Sequence, residues 1–241
     1  MIQNNYIIYL SLLLISFSNC SREKEASHSS TEQKTETIPA PSVQKYASDS
    51  TRVKITGLTY DVNNVPDEIK YQGKVVAGAR WEDKNGSNIL LLTETKQKLS
   101  QGKSEETKRE KELFGYHFID KEMGPELLWK INDFVKDCEF DITLESITGS
   151  LTITDLDKDG IAESTFLYMQ SCRSDVSPSG LKLIMHEGDK KYAIRGTTKI
   201  QFKGEKPIGG EMNIDTSFNL APDTFLNYAK EQWAKFQTEK Y

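Results

Sequence analysis

A mainly β domain is predicted by three features of the chain. Short apolar or alternating runs are divided by turn residues, four successive pairs of such runs follow one another, and one helical stripe lies at the C-terminal end. The expected architecture is an antiparallel meander of about four hairpins forming a sandwich or barrel-like sheet. A C-terminal amphipathic helix over about 223–238 completes a single domain spanning 51–241. With 241 residues, of which 37% are hydrophobic, the chain has enough apolar material for one real core. Its formal net charge of -5 offers no basic patch, so nucleic acid is not an expected partner.

In order, Val53 to Tyr60 alternates as a strand does. Gly73 to Trp81 and Ile89 to Glu94 flank Asp83-Lys84-Asn85-Gly86, whose Asn-Gly pair accepts positive φ at little cost and so signals a hairpin. Lys96 to Glu112 is a polar charge run, expected to be a solvated helix or loop. Leu113 to Ile119 and Glu126 to Val135 form a second hairpin, turning near Lys121 to Pro125. Leu151 to Thr154 and Ile161 to Gln170 flank an acidic loop. Leu181 to His186 and Lys191 to Phe202 make the fourth pair, around Glu187-Gly188-Asp189-Lys190. Asp223 is placed to cap the last helix, whose stripe is Phe225, Ala229, Trp233 and Phe236. A weak internal repeat aligns Trp81 to Gly86 with Asp155 to Gly160 by the final glycine, which points to a pseudo-symmetric single sheet system.

Before this domain, Ile7 to Phe17 is an apolar run too short to cross a bilayer core of roughly 30 Å as a helix. It fits the hydrophobic region of a secretory signal. Its end, Phe17-Ser18-Asn19-Cys20-Ser21, resembles a bacterial lipoprotein signal, which implies residues 1–19 as signal peptide and Cys20 as the lipidated mature N-terminus. The absence of Lys or Arg before the run, and Phe17 and Asn19 in place of the usual residues, depart from the common pattern; Bacteroidetes lipoproteins tolerate both. The membrane is then a partner through the lipid anchor. Ser21 resembles outer-membrane sorting, and Arg22-Glu23-Lys24-Glu25 resembles the Bacteroidetes surface-export signal, so periplasmic face and cell surface stay open. Residues 20–50 are rich in Ser, Thr, Glu, Lys and Gln, and are expected to be a disordered tether that contains His28.

The run that states a chemistry is Asp155-Leu156-Asp157-Lys158-Asp159-Gly160-Ile161-Ala162-Glu163. Alternate carboxylates converge in a curled loop, Gly160 supplies the turn, Ile161 can offer its carbonyl and Glu163 adds another carboxylate. Calcium takes six to eight such oxygen ligands, so a structural calcium ion is the expected cofactor. The twelfth position is Phe166, where an EF-hand carries Glu. The loop is similar to the aspartate loops of FG-GAP-type β-hairpin proteins. Asp and Gly are also what any polar turn prefers, so a metal-free turn is the competing reading.

With Cys20 lipidated, Cys138 and Cys172 form one pair in an oxidising compartment, and a disulfide between them is expected. Asp133, Asp137, Glu139 and Asp141 would share one face of a continuous strand, where paired carboxylates could serve glycoside hydrolysis. A solvated face is the simpler reading. Arg173 and Asp175, in the turn-rich loop after Cys172, could recognise an anionic ligand or each other. His117 and His186 lie in strand-like runs without metal-ligand spacing and are expected as satisfied sheet histidines. Gly-Xaa-Ser-Xaa-Gly, phosphate-cradling and HExxH motifs are absent, and no residue is assigned as catalytic.

At Trp129-Lys-Ile-Asn-Asp-Phe, Asp137-Cys-Glu-Phe-Asp, Cys172-Arg-Ser-Asp-Val-Ser-Pro and Lys182-Leu-Ile-Met-His-Glu, with the Asp155 loop, the chain resembles a family of Bacteroidetes lipoproteins loosely connected with surface polysaccharide biosynthesis. The resemblance covers about residues 50 to 240 and implies an association with envelope glycan, without any catalytic residues. The functional expectation is a non-catalytic envelope lipoprotein supporting or binding surface polysaccharide, with surface glycan or envelope proteins as partners. The alternatives are a glycan-modifying hydrolase using the Asp133–Asp141 carboxylates and an adhesin or protein-binding module.

Overall fold

The structure, a computed structural model, describes residues 53–57, 65–101 and 107–239. The signal, Cys20, the tether and His28 lie outside the described residues. Among the described residues, no helix is long and apolar enough to cross a membrane.

Two six-stranded antiparallel sheets make the domain. The first contains β1 (Lys54–Gly57), β2 (Lys74–Asp83), β3 (Gly86–Glu94), β4 (Lys98–Gln101), β5 (Thr107–Lys121) and β6 (Gly124–Cys138), in the order β1-β2-β3-β5-β4 with β6 also paired to β5. The second contains β7 (Asp141–Ser146), β8 (Thr152–Thr154), β9 (Glu163–Arg173), β10 (Gly180–Glu187), β11 (Lys190–Thr197) and β14 (Met212–Ile214), in the order β14-β11-β10-β9-β7 with β8 also paired to β9. A two-stranded ribbon joins β12 (Lys199–Ile200) and β13 (Ile208–Gly209). Thr216–Leu220 is a short 3-10 helix and α1 is Asp223–Phe236. Neither sheet closes into a barrel, so of the two expected forms the sandwich-like one is adopted.

Side-chain alternation builds three layers. Leu90, Leu92 and Leu113 of the first sheet meet Phe166, Tyr168 and Ile184 of the second in a core between the sheets. On the far side of the second sheet, Leu167, Leu181, Leu183 and Met185 pack against Phe225, Tyr228, Ala229 and Trp233 of α1. The second sheet is thus covered on both faces, and β9 and β10 are buried at consecutive positions and not only at alternate ones. The outer face of the first sheet carries a third cluster, where Ile89, Leu91, Phe114 and Tyr116 are capped by Ile69 with Val65 and Tyr71.

All four expected hairpins form, with differences of local cause. The β2–β3 turn is Lys84-Asn85, because Asp83 already pairs with Gly86; Gly86 takes φ 116° as the first residue of the returning strand. Lys96 to Glu112, expected as solvated helix or loop, instead supplies β4 and the start of β5. Charge on a sheet edge is satisfied by opposite charge across it: Lys108 pairs with Glu139 and Lys111 with Glu94 at 2.7 Å. The helix begins as expected, but Pro222 holds the capping position without a side-chain bond, and Asp223 lies in the first turn, where its charge favours the helix dipole.

The strand expected to run through Asp133, Asp137, Glu139 and Asp141 is broken. β6 ends at Cys138, β7 starts at Asp141, and Asp137 has φ 53° at the break. The chain leaves the first sheet there and enters the second. Cys138 of β6 and Cys172 of β9 are joined in a disulfide, with Cα atoms 5.8 Å apart, so the bridge ties one sheet to the other.

Candidate metal centre

The acidic loop joins β8 to β9, and its ends are fixed by the pairing of Thr154 with Glu163. Within it the aspartates first organise backbone. Asp155 Oδ1 accepts from Gly160 N–H at 3.3 Å, Asp157 Oδ1 from Asp159 N–H at 3.1 Å and Asp159 Oδ1 from Ile161 N–H at 2.7 Å. Such bonds are what Asp contributes to tight turns, and they account for the alternate spacing. Lys158 at φ 63° and Gly160 at φ 87° complete the curl.

The β2–β3 turn seats this loop. Lys84 N–H donates to the Gly160 carbonyl at 2.9 Å, and the Lys84 ammonium donates to the Asp159 carbonyl. Asp83 Oδ2 accepts from Ala162 N–H at 3.2 Å and from Trp81 Nε1–H at 2.9 Å. A Cβ on Gly160 would lie 2.8 Å from Lys84 Cε, so glycine serves both the backbone angle and the contact. The two segments aligned as a repeat in the sequence therefore touch, and the Trp81 copy has become the support of the Asp155 copy.

The carboxylates gather in two triads. Oxygens of Asp155, Asp157 and Asp159 lie within 4.8 Å of one another, as do oxygens of Asp157, Glu163 and Glu187. Glu163 is fully buried; its Oε2 accepts from Thr154 Oγ1–H and Leu156 N–H, both at 2.9 Å, while its Oε1 has no hydrogen-bond partner. Asp155 Oδ2 is likewise buried without a partner. Burial pushes the Glu163 carboxyl up to about 8, with the Asp157 charge adding to the rise and the Leu156 and Thr154 hydrogen bonds opposing it. Glu187 is also raised, first by burial, against its 3.2 Å ion pair with Lys190. Glu187 was missed in the sequence because it precedes a turn of another hairpin. The β9–β10 register sets it directly opposite Glu163, and the short Gly188-Asp189 turn was the signal that could have located it.

A ring stack runs from Trp81 to His186. Trp81 meets His117 at 4.9 Å between centroids, His117 meets Trp129 at 5.4 Å, and Trp129 stacks on His186 at 3.9 Å. His117 Nε2 bonds Asn88 Oδ1 at 2.9 Å, as a satisfied sheet histidine should, but the Nδ1 atoms of both histidines are buried without a partner. Burial lowers His117 from 6.5 to about 4 and His186 to about 3, so both are neutral at pH 7.

The remaining candidates are held in separate pairings. Asp133 accepts from Tyr168 Oη–H at 2.9 Å and pairs with Lys182. Burial works to raise its pKa, but these hydrogen bonds win and hold it below the ordinary carboxylate value. Glu139 pairs with Lys108, and Asp141 begins β7. Arg173 pairs with Glu239 at 2.8 Å, and Asp175 accepts instead from Ser177 Oγ–H at 2.7 Å. Two open clefts flank α1, one lined by Leu156, Thr224, Asn227, Lys230 and Glu231, the other by Ile147, Met169, Phe236 and Glu239 among others. Neither contains a carboxylate of the Asp133–Asp141 group. Compared with known protein families, curated proteins and solved structures, the chain matches none.

Proposed function

We propose that this chain is a non-catalytic, lipid-anchored envelope protein of a Bacteroidetes-type bacterium, whose β domain supports or binds surface polysaccharide from the outer membrane. The observation that carries the location is the partition of three cysteines: Cys138 and Cys172 bridge the two sheets, and Cys20 follows the apolar run Ile7 to Phe17. A structural disulfide fits a compartment outside the cytoplasm, and a cysteine at the end of a signal fits acylation. The glycan role rests on the resemblance of the Trp129, Asp137, Asp155, Cys172 and Lys182 segments. A structural calcium ion, held by Asp155, Asp157, Asp159, the Ile161 carbonyl and Glu163, belongs to the same reading. It is supported by the unmet buried oxygens of Asp155 and Glu163. The commitments of Asp133 and Glu139 to lysines favour the non-catalytic form over a hydrolase.

A deletion strain tests the glycan role. Its surface polysaccharide, resolved on a gel, should change in amount or length and recover on complementation; an unaltered profile removes that role. Incorporation of labelled fatty acid into the wild-type chain, lost in Cys20→Ala, tests the anchor separately.

A further inference from the structure

We propose that Asp157, Glu163 and Glu187 form a second subsite for a hard divalent cation, joined to the Asp155–Asp159 loop through the shared carboxylate of Asp157. The inference rests on the calcium reading of that loop and extends it from one ion to two. Calcium–oxygen distances of about 2.3–2.6 Å put ligands on opposite sides of one ion roughly 4.6–5.2 Å apart. Each triad, with oxygens within 4.8 Å, has the span of one ion; Asp157 belongs to both, and with two ions bound Glu163 ligates the second in place of the loop ion.

A cluster of carboxylates is common on protein surfaces, but Glu163 is not on the surface. It is fully buried in the second sheet, one of its carboxylate oxygens lies within 4.8 Å of those of Asp157 and Glu187, two donors are spent on Oε2, and Oε1 has no hydrogen bond. A buried carboxyl oxygen without a partner is unfavourable, and Glu163 stands directly opposite Glu187 on the neighbouring strand. A divalent cation completes Oε1 and holds the two carboxylates together once both are ionised. Lys190 alone does not, because its side chain is 69% exposed and reaches only Glu187. An exposed ammonium of this kind is readily displaced by a more compact charge.

Equilibrium dialysis of the full chain in detergent, stripped with chelator and titrated with Ca²⁺, counts the ions. Two per chain are expected for the wild type, and one each for Glu187→Gln and Asp155→Asn, with unchanged far-ultraviolet dichroism. Lys190→Ala removes the competing ammonium without touching the carboxylates, and should tighten the weaker step several-fold while leaving the stronger one alone. One ion in the wild type, two retained by Glu187→Gln, or no tightening in Lys190→Ala would overturn the second subsite and leave the loop site standing. No ion at all would overturn both.

Discussion

Two buried histidines and one buried glutamate should give this domain an unusual dependence on pH, in which opposing effects nearly cancel until one group is removed. His117 and His186 are held neutral, with pKa values lowered from 6.5 to about 4 and about 3. The unfolded chain therefore binds their protons first as pH falls, and each histidine takes stability away below 6.5. At about 1.36 kcal/mol per pH unit, moving from pH 7 to 5 costs about 1.8–1.9 kcal/mol per histidine, or about 3.7 kcal/mol together. Glu163 acts in the opposite sense. Its folded pKa is raised from 4.5 to about 8, so its contribution is full below 4.5 and lost as pH rises through 8. Over the same interval, protonating it in the folded state returns about 2.5 kcal/mol. The wild type should thus lose only about 1 kcal/mol between pH 7 and 5, and Glu163→Gln about 3.7 kcal/mol. His186→Phe, which keeps a ring stacked on Trp129, should remove about half of the histidine loss. The assay is urea denaturation at both pH values in chelator, which keeps calcium from engaging Glu163. A Glu163→Gln variant no more acid-sensitive than the wild type would refute a raised Glu163 pKa in the folded domain.

Three further outcomes are expected. The Cys138–Cys172 bridge closes a loop with a sequence separation of 34, so Cys138→Ala with Cys172→Ala should cost about 3.8 kcal/mol on the chain-entropy relation; a shift below about 1 kcal/mol in urea would show that the sheets hold without it. Calcium at about 1 mM, acting on a site of Kd about 10⁻⁴ M, should stabilise by about 1.4 kcal/mol and raise the melting midpoint by roughly 3–6 °C, whereas a midpoint unmoved by chelator would exclude the ion. Gly160→Ala, at φ 87°, should lose about 1–3 kcal/mol by thermal melting and weaken calcium binding, and unchanged stability would mean that the loop accepts a side chain at that backbone angle.

Much of the fold was legible because hairpins are local. Alternating apolar residues and short turns specify antiparallel neighbours without reference to the rest of the chain, and all four expected pairs form. The polar run from Lys96 to Glu112 does not announce itself as strand because its own residues bury little: β4 is exposed throughout, and the neighbours that stabilise it, β5 with Glu94 and Glu139, come from elsewhere. The break after Cys138 was invisible for a related reason. Nothing in Asp137-Cys138-Glu139 announces a change of sheet, and only the position of the second sheet makes one necessary.

At the acidic loop the division is equally physical. Residue type and spacing alone determined that Asp155, Asp157 and Asp159 would curl around Gly160, since an aspartate bonding backbone two or more residues ahead needs no distant partner. Tertiary structure decided everything that depends on burial and on strands far apart in sequence. It placed Glu187 opposite Glu163, left Glu163 Oε1 without a donor, and set Lys84 against Gly160. It also put the disulfide near the other end of β9, roughly 30 Å from Glu163 at about 3.3 Å per residue, so the bridge and the acidic loop brace opposite ends of one strand. Local bonds are encoded by neighbours in the chain, whereas desolvation and charge crowding exist only once the sheets have packed.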